Sequence, residues 1–280
     1  MLLEDYIDTN NDEYAFGVMT HFETTDTIQS TFAKDDTILH QMNTGEFPFP
    51  AALHFWPTDP VVFLGMQDTR LPYFEAGVDE LEQSGYTPVV RPAGGLAVVG
   101  DPLVINFTLL FHATEQKPSI NAAYQIIVDL LNALVKPYHE EFIAGEVETS
   151  YCPGKYDLSL HGKKIAGLAQ RRVGDAIGLY VYLSLSGDQQ KRGHLIRQFY
   201  QTGLQGEETK IHYPDVDPSS MANLSFTLPH LGTVENFSSA LLATYQALDD
   251  VTLIPFQLTP EMMTPHLEAM KRRNERLSHE

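Results

Sequence analysis

Two stretches of short apolar runs, each broken by glycine, restrict this chain to a fold built around a sheet. Residues 87–111 read as a strand, a Gly-Gly turn, a second strand, a Gly-Asp turn and a third strand. Residues 157–186 return to the same pattern of strands and tight turns. The sequence therefore predicts a largely antiparallel sheet.

Segments with the apolar spacing of helices flank these strands. Two further strands are predicted within residues 51–66, and residues 1–25 look like a polar leader without clear periodicity. The expected fold class is therefore α+β, with helices flanking a mixed, largely antiparallel sheet. Helices are predicted at 26–43, 71–84, 119–136, 192–201, 235–248 and 259–276.

Charge and cysteine usage narrow the class of function. The net charge of −19 argues against a nucleic-acid partner, because phosphate contacts need a basic surface. The longest apolar run is too short to cross a membrane, and the N-terminus lacks the basic and apolar regions of a signal peptide. A single cysteine cannot form an internal disulfide, which fits a reducing compartment. We therefore expect a cytoplasmic protein without nucleic-acid or membrane partners.

The basic side chains are concentrated in one window. Residues 151–200 hold eight of the eighteen lysines and arginines but only three acidic residues, which gives this window a net charge of +5. Such a window is either a solvated face or a docking surface for an acidic partner. Charge alone leaves both interpretations open.

The turn that begins at Arg91 is the first candidate site. Gly94 and Gly95 let the backbone approach a ligand closely and present its N–H groups. Arg91, at the end of a predicted strand, could hold a carboxylate, a phosphate or a carbonyl oxygen. An ordinary hairpin with a surface arginine is the alternative, because short glycine motifs are weak indicators.

Cys152 is the second candidate, in a predicted loop with Pro153 and Gly154. Most single cysteines are buried apolar side chains, but several lysines follow this one closely, and nearby cations favour the reactive thiolate. Lys163 and Lys164 begin a predicted strand, on which successive side chains point to opposite faces, so only one of them can face the site. Two solvated turn lysines are the alternative.

Other common sites lack their motifs. Eleven histidines are present, but no HExxH or other paired metal spacing occurs, so no metal site is expected. The sequence also has no phosphate-binding GxxxxGK[ST] loop, no GxGxxG fingerprint and no GxSxG elbow.

Taken together, the two candidate segments resemble the lipoate–protein ligase and octanoyltransferase family, which shares its catalytic fold with biotin–protein ligases. Members carry an R-x-x-G-G-x-A-V turn followed by D and N, and then a D-L-x-x-x-G-K-K-I-A/S-G strand. The resemblance implies a catalytic domain at 45–250, after an N-terminal leader and helix at 1–44 and before a C-terminal helical extension at 251–280. The matching residues are Arg91, Gly94, Gly95, Ala97, Val98, Asp101 and Asn106, then Asp157, Leu158, Gly162, Lys163, Lys164, Ile165, Ala166 and Gly167.

Departures from the family pattern favour one branch. The ATP-dependent ligases usually have a third glycine and a histidine where this chain has Leu96 and Gly100, and they lack a cysteine before the D-L strand. Cys152 stands where two octanoyltransferase branches place their nucleophile. The residues around it look most like the branch that takes octanoate from the glycine-cleavage H protein, whereas the sister branch takes it from acyl carrier protein.

The resemblance implies a transfer that needs neither ATP nor a cofactor. Cys152 would attack the octanoylated H protein and form a thioester, which a lysine on the lipoyl domain of an E2 subunit would then attack. Lys164 would stabilise the thiolate and polarise the acyl carbonyl. The alternatives are the sister branch, an ATP-dependent lipoate–protein ligase, and a non-catalytic carrier-binding protein. The implied substrate-binding residues are Arg91, Gly94, Gly95, Ala97, Val98, Ile165, Ala166 and Gly167, and the implied docking residues are Lys155, Arg171 and Arg172.

Overall fold

The structure, a computed structural model, describes residues 3–8, 15–20, 27–56, 59–114, 116–249 and 251–277. Its helices are α1 (Ile28–Thr44), α2 (Phe74–Gln83), α3 (Ile120–Val135), α4 (Gln189–Leu204), α5 (Val234–Asp249) and α6 (Pro260–Asn274). Its strands are β1 (Ala15–Thr20), β2 (Ala51–Phe55), β3 (Val61–Leu64), β4 (Thr87–Val90), β5 (Val98–Gly100), β6 (Val104–His112), β7 (Ile143–Ala144), β8 (Leu158–Leu160), β9 (Lys163–Val173), β10 (Ala176–Ser184) and β11 (Thr252–Pro255).

Two sheets form the framework of the described residues. The larger sheet has eight strands in the order β11-β1-β2-β6-β10-β9-β8-β7, and the smaller has the order β4-β3-β5. Within the larger sheet, β1 runs parallel to both of its neighbours, and the other pairs are antiparallel. The predicted mixed, largely antiparallel sheet with flanking helices is therefore confirmed.

Alternation along the central strands sends side chains to two separate cores. On β6, Phe107 and Leu109 pack into the core that contains α3 and α5. On β10, Tyr180 and Tyr182 point the other way, into a core shared with the smaller sheet, α2 and α4. Each fully buried side chain of this size contributes about 1.5–3 kcal/mol. The residues with chemical function lie on the second face, between the two sheets.

The segments at both ends of the chain add strands to the larger sheet. β1 shows no strand pattern in the sequence because its first five residues are all buried, and a strand buried on both faces shows no alternation. β11 pairs with β1 in parallel register. The domain boundaries at 44 and 250 stay predictions. Much of the predicted leader, residues 1–2, 9–14 and 21–25, lies outside the described residues.

The C-terminal helix α6 is attached to the edge of the smaller sheet. Asn274 accepts a hydrogen bond from the backbone N–H of Val90 at 2.7 Å, as a neighbouring strand would. Val90 ends β4 and directly precedes Arg91. None of the helices in the described parts of the chain is both long and apolar enough to span a bilayer.

Candidate active site

A cavity of about 250 Å³ lies between the two sheets, and the two motifs predicted from the sequence meet on its wall. Arg91 and Cys152 are 61 positions apart in the chain, yet they are in contact there. The wall combines polar groups with a large aromatic surface. Its polar and charged members include Arg91, Asn106, Cys152, Asp157, Lys164 and Gln170, and its aromatic members are Phe32, Trp56, Phe63, Tyr124, Tyr151, Tyr180 and Tyr182.

Cys152 is held by hydrogen-bond donors from the glycine turn. The backbone N–H of Leu96 donates to its sulfur at 3.2 Å, and Nη2 of Arg91 lies 3.5 Å from the same atom. The thiol is free and half-buried. Its backbone φ of 48° lies in the left-handed region, which is strained for a residue with a side chain. Strain of this kind is often found at functional sites, and here it directs the sulfur toward the turn.

Arg91 connects the turn to the sulfur. Besides its contact with Cys152, Nη2 donates to the carbonyl oxygen of Leu96 at 2.8 Å. Its Nε is buried and has no hydrogen-bond partner among the described residues. The guanidinium therefore braces the turn and keeps a donor beside the cavity.

Gly95 is required at its position because a side chain there would enter the site. Its φ of 101° disfavours any other residue, and a Cβ would lie 2.5 Å from Nη2 of Arg91 and 2.8 Å from the sulfur of Cys152. The backbone is close-packed on the other side too, because a Cβ on Gly65 would lie 1.9 Å from the carbonyl oxygen of Gly95. At Gly94, in contrast, nothing lies within 4 Å of an added Cβ.

This difference gives a matched pair of variants. We expect Gly95→Ala to slow the reaction at this site by about 100-fold or more, because displacing catalytic groups by 1 Å costs about that much. Gly94→Ala should stay within about threefold of the wild type, since the methyl group meets only open space. Steady-state transfer rates on both variants, with circular dichroism to verify folding, make the comparison. Equal losses in the two variants would contradict the assigned geometry.

Lys164 points into the protein and holds the cysteine loop. Its side chain is buried, whereas its neighbour Lys163 is exposed, as the predicted alternation requires. Nζ donates to the carbonyl oxygens of Tyr151 at 2.9 Å and Cys152 at 2.8 Å, and to Oγ of Ser150 at 3.1 Å.

The catalytic role expected for Lys164 stays a prediction, and its contacts in this structure differ from those expected. Lys164 was expected to act directly on the thiolate, but its ammonium binds the loop carbonyls and forms an ion pair with Asp157 at 2.9 Å. The donors on the sulfur itself come from the opposite side, from Leu96 and Arg91. The reason is the carboxylate of Asp157, which draws the ammonium below the loop.

Asp157 fixes the other end of this loop. Its Oδ2 accepts the N–H groups of Val147 and Gly154, both at 3.1 Å, while Oδ1 pairs with Lys164. Burial raises the pKa of Asp157 above its usual value, and the nearby ammonium of Lys164 opposes that rise. A buried carboxylate with these three partners makes the loop around Cys152 rigid.

The structure separates the predicted substrate-binding residues into two groups. Arg91, Gly94, Gly95, Val98 and Gly167 line the cavity. The other three do not: Ala97 packs behind the turn, and Ile165 and Ala166 pack into the core on the opposite face of the sheet. For Ile165, the reason is the alternation that directs Lys164 toward the site.

The aromatic wall has no signature in the sequence. Phe32 comes from α1, Trp56 from the residue after β2, and Phe63 from β3. Their rings pack edge to face, with centroid distances of 5.3–5.8 Å. No motif marks these residues, and only their period-2 or helical spacing could have suggested burial.

The three predicted docking residues differ in exposure. Lys155 and Arg172 are exposed, and Arg172 hydrogen-bonds Gln170 on the cavity wall at 2.9 Å. Arg171 is instead ion-paired with Asp36 at 2.7 Å, and its side chain is 27% exposed. Within the described residues, no cluster of three histidine, cysteine or acidic side chains is suitable for a metal ion.

The fold is shared with a ligase of known structure. The chain superposes on the solved structure of lipoate-protein ligase A bound with ATP with a TM-score of 0.68 and 15% identity, covering 93% of this chain and 95% of that one. At this identity the likeness shows the fold, and it confirms the predicted lipoate–protein ligase-like α+β fold.

The chain belongs to the lipoyl protein ligase A/B catalytic domain family, whose model matches residues 27–246. It is 43% identical over 195 residues to the octanoyl-[GcvH]:protein N-octanoyltransferase of Lysinibacillus sphaericus, covering 70% of this chain and 69% of that protein. It is 39% identical over 254 residues to the protein of the same name from Bacillus velezensis, covering 89% of this chain and 88% of that protein. The family predicted from the two motifs is confirmed.

Proposed function

We propose that this chain catalyses the reaction for which these relatives are named, removing octanoate from octanoylated GcvH and holding it as a thioester on Cys152. The acceptor is a lysine on the lipoyl domain of an E2 subunit. The observation that carries the proposal is the position of the Cys152 sulfur, 3.2 Å from the N–H of Leu96 and beside an aromatic-lined cavity. The branch predicted from the cysteine loop agrees with the names of both relatives.

The first step forms the thioester. The thiolate of Cys152 attacks the carbonyl carbon of the octanoyl amide, and the C–N bond to the donor lysine breaks as the C–S bond forms. The proton lost by the thiol balances the one gained by the departing amine. The N–H of Leu96 and the guanidinium of Arg91 both lie within 3.5 Å of the sulfur, so they are placed to stabilise the oxyanion on the adjacent carbon.

The second step reverses the first with a different amine. The acceptor lysine attacks the thioester and expels the thiolate, which takes back its proton equivalent. An amide is consumed and an amide is formed, so the exchange needs no ATP. The thiol of Cys152 is free, and it works only when reduced, which fits the cytoplasmic location expected from the sequence.

The cavity provides a place for the acyl chain. Val98 and Leu168 add aliphatic surface to the aromatic wall. Burial of the seven methylene and methyl groups of an octanoyl chain, at about 0.8 kcal/mol each, offers roughly 5 kcal/mol. That is enough to hold the acyl group while the donor leaves and the acceptor arrives.

A three-donor assay tests the proposal. The protein is mixed with an E2 lipoyl domain and one of three acyl sources: octanoylated GcvH alone, octanoyl acyl carrier protein alone, or free octanoate with ATP. We expect mass spectrometry to find octanoylated E2 domain with the first source at a rate at least about tenfold above the other two. A higher rate with acyl carrier protein, or a requirement for ATP, would replace the proposal with one of its alternatives.

Charge reversal tests the docking surface. Lys155→Glu/Arg172→Glu should slow transfer about fivefold or more at low salt and much less at high salt, because salt screens contacts between exposed charges. Arg171 is left intact because its ion pair with Asp36 makes it part of the fold. Arg272→Glu is the matched control, since Arg272 is an exposed arginine on α6. Equal losses at both salt concentrations would contradict docking by charge.

A further inference from the structure

Asp68 is a fully buried carboxylate outside the cavity wall, and it connects two segments that meet at the glycine turn. It begins the short 3-10 helix Asp68–Arg70, just after β3. One carboxylate oxygen accepts the backbone N–H of Gly65 at 2.7 Å. The other accepts the hydroxyl of Tyr200 at 3.0 Å. Burying an ionised carboxyl costs free energy of desolvation, and these two hydrogen bonds offset part of that cost.

Tyr200 extends this connection to the backbone of the turn. It lies in α4 and is fully buried. Its hydroxyl accepts the N–H of Ala97 at 3.1 Å while it donates to Asp68. A hydroxyl has a single hydrogen, and an ionised Asp68 claims it, so the oxygen lone pairs of Tyr200 face Ala97.

Leu96 lies between two backbone positions, at Gly95 and Ala97, that contact the hydrogen-bond partners of Asp68. On one side, Gly65 packs so closely on the carbonyl oxygen of Gly95 that no Cβ would fit. On the other side, Tyr200 holds the N–H of Ala97. The N–H of Leu96 is therefore fixed from both flanks, and it points at the sulfur of Cys152 at 3.2 Å.

We propose that Asp68 and Tyr200 are positioning residues that aim the Leu96 N–H at the oxyanion formed when Cys152 is acylated and deacylated. The proposal rests on the proposed function and extends it to two residues that touch neither the sulfur nor the acyl chain. The hydrogen bond from Leu96 to the oxyanion strengthens in the transition state, so misaligning it should lower kcat more than it raises KM.

The ionisation of Asp68 falls in the range in which the enzyme would work. Burial raises its pKa to about 7, against the lowering effects of the Gly65 and Tyr200 hydrogen bonds and of the Arg91 guanidinium. Among the described residues, its ionisable neighbours also include Tyr213, whose pKa burial raises to about 12, and Arg70 lies beside Tyr213. As the pH falls through about 7, Asp68 gains a proton and no longer fixes the direction of the Tyr200 hydroxyl. The Leu96 N–H then loses part of its support.

Asp68→Asn and Tyr200→Phe test this proposal on the full-length protein. In Asp68→Asn, the amide oxygen can accept the Gly65 N–H only if the amide NH2 group faces the Tyr200 hydroxyl, which then can no longer donate to residue 68. Tyr200→Phe removes the hydroxyl oxygen that accepts the N–H of Ala97. We expect each variant to lower kcat for octanoyl transfer by about tenfold or more, with KM changed by less than about threefold. Tyr213→Phe is the matched control. It removes a hydroxyl that bonds the carbonyl oxygen of Gln67 next to the network, and its rate should be unchanged.

The pH profile separates positioning from a merely structural effect. Cys152 is the only cysteine, so its alkylation by iodoacetamide measures the thiolate fraction at each pH. The transfer rate is divided by the thiolate fraction at each pH. For the wild type, this corrected rate should still fall as the pH falls through about 7. In Asp68→Asn, this remaining dependence should be absent.

Different results would contradict the proposed function and the positioning role of Asp68 and Tyr200. If the wild type forms no octanoyl-enzyme from octanoylated GcvH, the proposed function fails. If the wild type is active while both variants keep kcat within threefold, or while Asp68→Asn keeps the pH dependence, the positioning proposal is overturned. If Asp68→Asn does not fold, the kcat of Tyr200→Phe alone tests whether the positioning contact is needed.

Discussion

Incubation of the protein with octanoylated GcvH, without ATP, is expected to add one octanoyl group to the chain, and Cys152→Ala is expected to gain none. A covalent intermediate needs a nucleophile, and the sulfur of Cys152 is held by donors beside the cavity. Intact-mass spectrometry measures the increment directly. Because the chain has one cysteine, removal of the increment by hydroxylamine assigns it to a thioester at that residue.

The turnover of Cys152 variants should fall on the order of 10³-fold or more, as is found when a covalent nucleophile is removed from an enzyme. Cys152→Ser is the informative companion to the alanine variant. It retains a side chain of similar shape, but its hydroxyl is a far weaker nucleophile at neutral pH. Transfer at wild-type rates by either variant would exclude the thioester mechanism and favour an ATP-dependent ligase. An increment only from octanoyl acyl carrier protein would favour the sister branch.

Local pattern was sufficient to predict most of the framework. The glycine-punctuated segments predicted the strands β5, β6, β9 and β10 and the hairpin of β9 and β10, and helical spacing predicted α1 and α3 within two residues of their ends. The turn between β5 and β6 forms no hairpin, because β5 pairs with β3 in the smaller sheet while β6 pairs with β2 and β10 in the larger one. Alternation at the start of β9 required that Lys163 and Lys164 face opposite ways, which they do. These features depend on neighbours in the chain, so the sequence contains enough information to predict them.

The missing parts depend on long-range contacts. The sequence of β1 shows no alternation of apolar and polar residues because both faces of the strand are buried. Asp68 and Tyr200 are 132 positions apart, and nothing in either local sequence indicates that they share a hydrogen bond. The hydrogen-bond partners of Lys164 could not be predicted for the same reason. Its inward direction follows from strand geometry, but its position below the loop depends on how residues 147–157 fold around Asp157.

The buried pair of Lys164 and Asp157 leads to the second large effect. Their side chains are only 3% and 2% exposed, so Lys164→Met would leave a buried carboxylate without its countercharge. We expect a loss of about 3–5 kcal/mol in the free energy of unfolding at neutral pH. Denaturant titration followed by the fluorescence of the single tryptophan measures it. Lys163→Met, at the exposed neighbouring position, is the matched control and should change stability by less than about 0.5 kcal/mol.

The pH dependence of this loss has a defined sign. Burial already raises the pKa of Asp157, and the Lys164 ammonium is the largest effect that opposes the rise. Without the ammonium, the pKa of Asp157 in the folded variant should rise further. There is then a pH range in which Asp157 is protonated in the folded variant but ionised in the unfolded chain. The stability lost in Lys164→Met is therefore expected to be greatest at pH values above the raised pKa of Asp157, and to shrink as the pH falls through that pKa and the carboxyl becomes neutral. A loss that is independent of pH would contradict an uncompensated carboxylate as its cause.

Asp157→Asn/Lys164→Met separates the structural role of the pair from its catalytic role. Removing both charges leaves neither member of this pair as an uncompensated buried ion, so most of the stability should return relative to the single lysine variant. Octanoyl transfer should stay at least about 100-fold below the wild type, because the ammonium no longer holds the carbonyl oxygens of Tyr151 and Cys152 and the sulfur loses its fixed position. Recovery of both stability and activity would mean that Lys164 only neutralises Asp157. Recovery of stability alone would show that its ammonium is also needed to hold the cysteine loop in the position that transfer requires.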